Sequence, residues 1–284
     1  MENINKVLCK VLWAVLLIAG LLYQSFAVAE SVSGGESSER KATSAELAFV
    51  EGFEPTPGTY HYDVFLKGAK LGRATIAVDR TGDEYTVAVT ARTRGILKHL
   101  YKVKYRGEVK VTREPLVPTS AVITERTGDK KKIIQAEFPS PDKIIAVEQE
   151  SRGGGPTTEK TKEYDSESFI LDPFSTVYLI RSLEWEIGTD EVFDVFTGNK
   201  QYEINLLCTE ESVVTVDGVP RNSWVIVPET RTITKPQKVK LSGFSIYLSK
   251  DDRREILKIV GNPKVGRIVA NLRKFQARSQ PLDK

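Results

Sequence analysis

From Tyr60 onward, large apolar residues recur at every second position in one short run after another. A period of two puts alternate side chains on opposite faces, so the chain is restricted to a sheet with one buried face and one wet face. Tyr60, Tyr62, Val64 and Leu66 share a face, followed by Ala74, Ile76 and Val78, then Tyr85, Val87, Val89 and Ala91. The clearest run sets Tyr101, Val103, Tyr105, Gly107, Val109 and Val111 against Lys102, Lys104, Arg106, Glu108 and Lys110. Turn residues fall between runs at Lys67-Gly68-Ala69 and Thr81-Gly82-Asp83, and connections this short join antiparallel neighbours.

Further strands are expected at Ser120 to Glu125, Lys132 to Phe138 and Lys143 to Glu150. Ser151-Arg152-Gly153-Gly154-Gly155-Pro156 then opens a polar excursion to about Glu163. Its glycines lack the Gly-Lys-Ser/Thr ending of a phosphate loop and no helical pattern follows directly, so a mobile loop is expected. The main helix is expected over Asp172 to Glu186, with Asp172 as N-cap and Pro173 at the first helical position. Phe174, Val177, Tyr178, Arg181 and Trp185 recur at helical spacing, and Gly188 ends the segment.

Strands resume at Glu191 to Thr197, Gln201 to Cys208, Ser212 to Val216 and Ser223 to Val227. Between Val239 and Leu248 the apolar parity shifts at Gly243, as a bulge in a strongly bent strand would require. Two last strands are expected around Glu255 to Val260 and Val265 to Arg273. The fold class is therefore mainly β, an antiparallel curved sheet or half-barrel wrapped around one main α-helix.

The first 29 residues are read apart from this fold. Lys6 and Lys10 precede an apolar run from Val11 to Leu22, and Ala27-Val28-Ala29 supplies the small residues that signal peptidase accepts. The apolar run is shorter than the roughly 20 residues that span a bilayer, which favours a cleaved signal peptide over an anchor. The expected organisation is a signal peptide over 1–29, a flexible tether over 30–56, one β-rich periplasmic domain over 57–275 and a polar tail over 276–284. Lys6, Lys10 and Glu2 leave with the leader, and the remaining 39 basic and 37 acidic residues imply no global attraction to nucleic acid. Cys208 is then the one cysteine left, so no intramolecular disulfide supports the fold, and its apolar setting marks a buried inert thiol.

Chemistry-bearing patterns are sparse. The histidines, His61 and His99, show neither a triad motif nor zinc-ligand spacing with Cys208, so no metal and no cofactor are expected. Asp251-Asp252-Arg253-Arg254 is the densest charge cluster, and carboxylates compensated by arginine at a hairpin turn are favoured there over a metal site. A glycan hydrolase would need two carboxylates such as Asp172 and Asp251 within ~5 to 9.5 Å, and nothing in the sequence pairs them. The cations Lys98, Lys102, Lys104, Arg106 and Lys110 create a local positive field on one strand face. Lys102, Lys104, Arg106 and Lys110 are the candidate contacts for an envelope protein, a lipid or an anionic glycan, against a plain solvated face.

Four ordered groups carry a family resemblance: Tyr62-Asp63-Val64 with Gly68 and Gly72; Asp172-Pro173-Phe174-Ser175 with Tyr178 and Arg181; Leu248-Ser249-Lys250-Asp251-Asp252-Arg253-Arg254; and Gly266 with Leu272. In this order they resemble a family of secreted proteobacterial proteins described as a domain of unknown function, number three-one-zero-eight, over roughly Tyr60 to Leu272. Glu255-Ile256 departs from the apolar residue and proline that many members carry there. The resemblance implies a periplasmic sheet wrapped in barrel fashion around a helix, similar in architecture to the lipoprotein carriers of the Lol system, and no known activity. It also implies that Asp172, Pro173, Tyr178, Arg181, Ser249, Asp251, Arg253 and Arg254 are structural. The expected function is a non-catalytic periplasmic binding or scaffold protein. The alternative is a carrier of lipid or glycolipid in a barrel cavity, with the helix as a lid.

Overall fold

A computed structural model describes residues 47–93, 103–113, 117–166, 170–196, 201–232, 238–239, 243–262 and 266–278. The leader, most of the tether and the last residues of the tail lie outside these, as do Lys98, His99 and Lys102. Eight strands follow one another as an antiparallel meander: β1 (Gly58–Leu66), β2 (Ala69–Thr81), β3 (Glu84–Thr93), β4 (Val103–Thr112), β5 (Pro118–Thr127), β6 (Lys130–Ser140), β7 (Lys143–Arg152) and β8 (Thr158–Asp165). After β9 (Ile170–Leu171) comes the helix α1 (Pro173–Ser182). A second series then runs β10 (Asp190–Phe196), β11 (Gln201–Val216), β12 (Val219–Thr232), β13 (Lys238–Val239), β14 (Ser245–Ser249), β15 (Ile256–Gly261) and β16 (Ile268–Ala277).

β16 pairs with β1, so both series belong to one sheet that starts at β8, passes through β1 and β16, and finishes at β10 and β9. β9 runs parallel to β10, and the other described ladders are antiparallel. Bulges between His61 and Tyr62, and between Cys208 and Glu210, bend the strands. The sheet curls until its ends meet at one rim. There the Ser166 hydroxyl donates to Asp194, Gln201 donates to the Asp165 carbonyl, and the rings of Tyr164 and Phe196 stand 4.9 Å apart. Among the described residues no ladder joins β8 to β9, which leaves a half-barrel.

The helix fills the inside of the curl, and all ten of its residues are buried. Phe174 packs on Tyr105 and on Gly107, where a Cβ would collide with its ring. Tyr178 lies 5.1 Å from Tyr85. Asp172 caps the N-terminus by accepting from the amides of Phe174 and Ser175, and Ser175 reciprocates to the Asp172 amide.

Five expectations are corrected. The helix ends at Ser182 rather than Glu186, because Leu183 turns extended and bridges to Phe49, while Ser182 and Glu184 bond to the backbone of Val50 and Ala48. Buried Leu47 and this bridge hold the end of the segment expected as a tether. The polar excursion contains β8, which is exposed on both faces at nearly every residue and therefore shows no apolar period. Gln201 to Cys208 and Ser212 to Val216 form one strand interrupted by a bulge. The bend at Gly243 breaks the expected strand into β13 and β14, with the glycine at φ +86°. Among the described residues no helix is long and apolar enough to cross a membrane.

Candidate functional site

Since Tyr60, Ala74, Ala91 and Tyr105 point inward, their neighbours in sequence point away from α1. Register then decides which of these outward residues meet. Across β2, β3, β4, β5 and β6, Arg73 faces Arg92, Arg92 faces Lys104, Lys104 faces Arg126 and Arg126 faces Lys131. A second row, two residues along the strands, runs Lys274, His61, Thr75, Thr90, Arg106 and Thr124. The hydroxyls of Thr75 and Thr90 share a 2.6 Å hydrogen bond.

The two rows, short of Lys131, form a groove of about 700 Å³ on the outer face, lined by seven Arg or Lys side chains, Arg273 among them, and by no Asp or Glu. Like charges directly opposite on neighbouring strands repel, so this row costs stability in the free protein. At the rim, Asp63 lies 3.4 Å from Arg73, and Glu108 lies 3.3 Å from the largely exposed Arg106. Arg92, Lys104 and Arg126 have no ion-pair partner among the described residues. His61 lies between Lys274 and Thr75, its Nε2 buried without a hydrogen-bond partner. Burial, then the fields of Lys274 and Arg273, pull its pKa below the usual imidazole value, so the ring is neutral in the free groove at neutral pH.

The groove absorbs two of the four candidate contacts read from the sequence. Lys104 and Arg106 line it. Lys110 lies on the same outer face but pairs with Glu84 at 3.1 Å, outside the groove, and Lys102 falls outside the described residues. Arg73, Arg92, Arg126 and Lys131 were not singled out. Each is the polar member of an alternating strand, and only the register, which a period of two leaves open, places them side by side.

The family-motif residues gather at the ends of α1. At its C-terminus, Arg181 donates to the carbonyls of Arg253 and Arg254 and to the Tyr60 hydroxyl. Arg254 returns hydrogen bonds to the carbonyls of Arg181 and Leu183, from a backbone at φ +44°. The aromatic faces of Tyr60, Phe53 and Trp224 cover the two guanidiniums. Ser249 accepts from the Glu255 amide and donates to Asp251. Asp251 is compensated chiefly by Arg221 of β12 rather than by its neighbours in sequence, and Arg221 also holds buried Glu255. Asp172 thus caps one end of the ten-residue helix, whereas the turn that carries Asp251 docks at the other through the Arg253 and Arg254 carbonyls. Cys208 is fully buried, and burial raises its thiol pKa.

A barrel-like protein of the DUF1849 domain of unknown function, from Brucella abortus, shares the fold. Its TM-score is 0.52 at 10% identity, over 79% of this chain and 99% of that chain. A protein of YmcC-like fold from Bacteroides fragilis aligns at a TM-score of 0.32 and 9% identity, over 81% of this chain and 99% of its own. No curated protein matches. The family model described as protein of unknown function (DUF3108) matches residues 61–273, and the chain belongs to that family.

Proposed function

We propose that this protein is a non-catalytic binding module of the bacterial envelope, and that it holds an anionic ligand in the groove on the outer face of its sheet. The observation that carries this reading is the row Arg73, Arg92, Lys104, Arg126 and Lys131 on five successive strands, with seven cations and no carboxylate lining the groove. Repulsion within such a row is relieved when an anion enters, and the field of the row draws anions toward it. The leader read over 1–29 supports a periplasmic location.

The test uses the mature protein and a set of defined anions: inorganic phosphate, polyphosphate, a uronate oligomer and phosphatidylglycerol vesicles. At least one should bind, more weakly as salt rises, and Lys104→Glu with Arg126→Glu should abolish the binding. No binding by any member of the set, or binding indifferent to both reversals, refutes the proposal.

For the alternative, a lipid or glycolipid carried inside the sheet, α1 would have to leave the space it fills, breaking the contacts of Phe174 and Tyr178 and the Arg181–Arg254 exchange. Native mass spectrometry of protein purified from the periplasm addresses it directly. A stoichiometric lipid that survives Lys104→Glu would move the ligand from the groove to the interior.

A further inference from the structure

We infer that the groove ligand is an acidic glycan, lying across the strands with about one sugar per strand and its carboxylates on the cation row. This deepens the groove reading and rests on it.

Two features of the groove select an extended ligand over a compact one. The first is repetition: within one row Arg73, Arg92, Lys104 and Arg126 recur once per strand over β2 to β5, and Lys131 continues the row on β6 just outside the groove. Neighbouring strands are about 4.8 Å apart, so the row extends for roughly 19 Å. A single phosphate meets one or two of its members, whereas an extended chain of pyranoses advances by about one strand spacing per sugar and presents a carboxylate to each. The second feature is the companion row, in which Thr75, Thr90 and, beyond Arg106, Thr124 lie beside the cations on the same face. Hydroxyls that both donate and accept match sugar hydroxyls, and Arg92 and Arg126 offer planar forks to carboxylates.

The lining disfavours the other polyanions. Single-stranded nucleic acid is held by stacking its bases on exposed aromatic rings. Tyr105, the one phenol or phenyl ring in the lining, is only 3% exposed. A lipid headgroup would bring acyl chains that need apolar cover, and Ala91 and Tyr105, the apolar members of the lining, are both buried.

The experiment titrates the mature protein with oligogalacturonates of defined length by calorimetry, beside inorganic phosphate, oligothymidylate and phosphatidylglycerol vesicles. Affinity should climb with each added sugar and level off at about five, one for each cation-bearing strand. Arg92→Gln and Arg126→Gln should each weaken the longest oligomer by roughly tenfold or more while leaving the single uronate nearly unchanged. Lys110→Gln, outside the groove, should change neither. A urea midpoint equal to that of the parent certifies that each variant is folded. Groove-dependent binding of phosphate, oligothymidylate or vesicles without a length-dependent uronate response overturns the glycan assignment and leaves the groove as an anion site. Failure of every ligand to respond to Arg92→Gln and Arg126→Gln overturns both.

Discussion

At the scale of single residues, buried charge at the two ends of α1 controls stability. Asp172 is fully buried, and desolvation raises its pKa to about 6, against the hydrogen bonds from Ser175 and the helix amides. A folded-state pKa above the unfolded one means that the native protein binds the proton more tightly. The contribution of Asp172 to stability is therefore greatest below about pH 4, is lost as pH rises through 6, and is level above that, by roughly 3 kcal/mol in total. Asp172→Asn keeps a good N-cap and removes the titration. In urea unfolding at a series of pH values, the stability of the parent minus that of the variant should fall between about pH 4 and 6, and a difference independent of pH would refute the titration of Asp172. At the other end, Arg254→Ala leaves the carbonyls of Arg181 and Leu183 without their guanidinium donors, and should cost on the order of 3 kcal/mol in the same assay. Arg254→Gly should be the milder of the two by about 1 kcal/mol, because the position is left-handed. The N-cap was legible because Asp-Pro is a local signal. The arginine exchange was not, because its partners lie 73 residues apart.

At the scale of elements, the fit of α1 into the sheet depends on a missing side chain. Gly107 sits where β4 passes under Phe174. Gly107→Ala should destabilise the protein by about 1 to 3 kcal/mol, and Phe174→Leu in the same chain should recover part of that loss. A double-mutant cycle in urea reads the coupling, and simple additivity would mean that the ring does not seat on the glycine. β8 stands at the opposite extreme, held by its ladder to β7 with hardly any burial, so its amides should exchange with deuterium far sooner than those of β2 or β3. That same lack of burial hid β8 from a reading based on apolar alternation. Strands with one wet face announced themselves, whereas a strand with two looked like a loop. The premature end of α1 was hidden for a different reason. Apolar spacing continues through Trp185, but the strand-like bridge of Leu183 to Phe49 outcompetes another helical turn.

At the scale of the whole molecule, the inside and the outside of the sheet do different work. The inner face packs around one helix and follows from the apolar period. The outer face carries a cation row whose members are 12 to 22 residues apart in sequence within β2 to β5, and no local pattern marks them as neighbours. The basic stripe along β4 was visible because it runs with the chain. The groove runs across the chain, and for that reason only Lys104 and Arg106 of it could be named beforehand. The pairing of β1 with β16 has a kinetic consequence. Each meander can zip up from adjacent strands, but Gly58 meets Ala277 only when almost all of the described chain is present. Loop closure on that scale is slow. Folding should therefore finish with the joining of two half-made sheets by the last strand, and a chain halted before β16 would leave β1 and β15 each with an open edge.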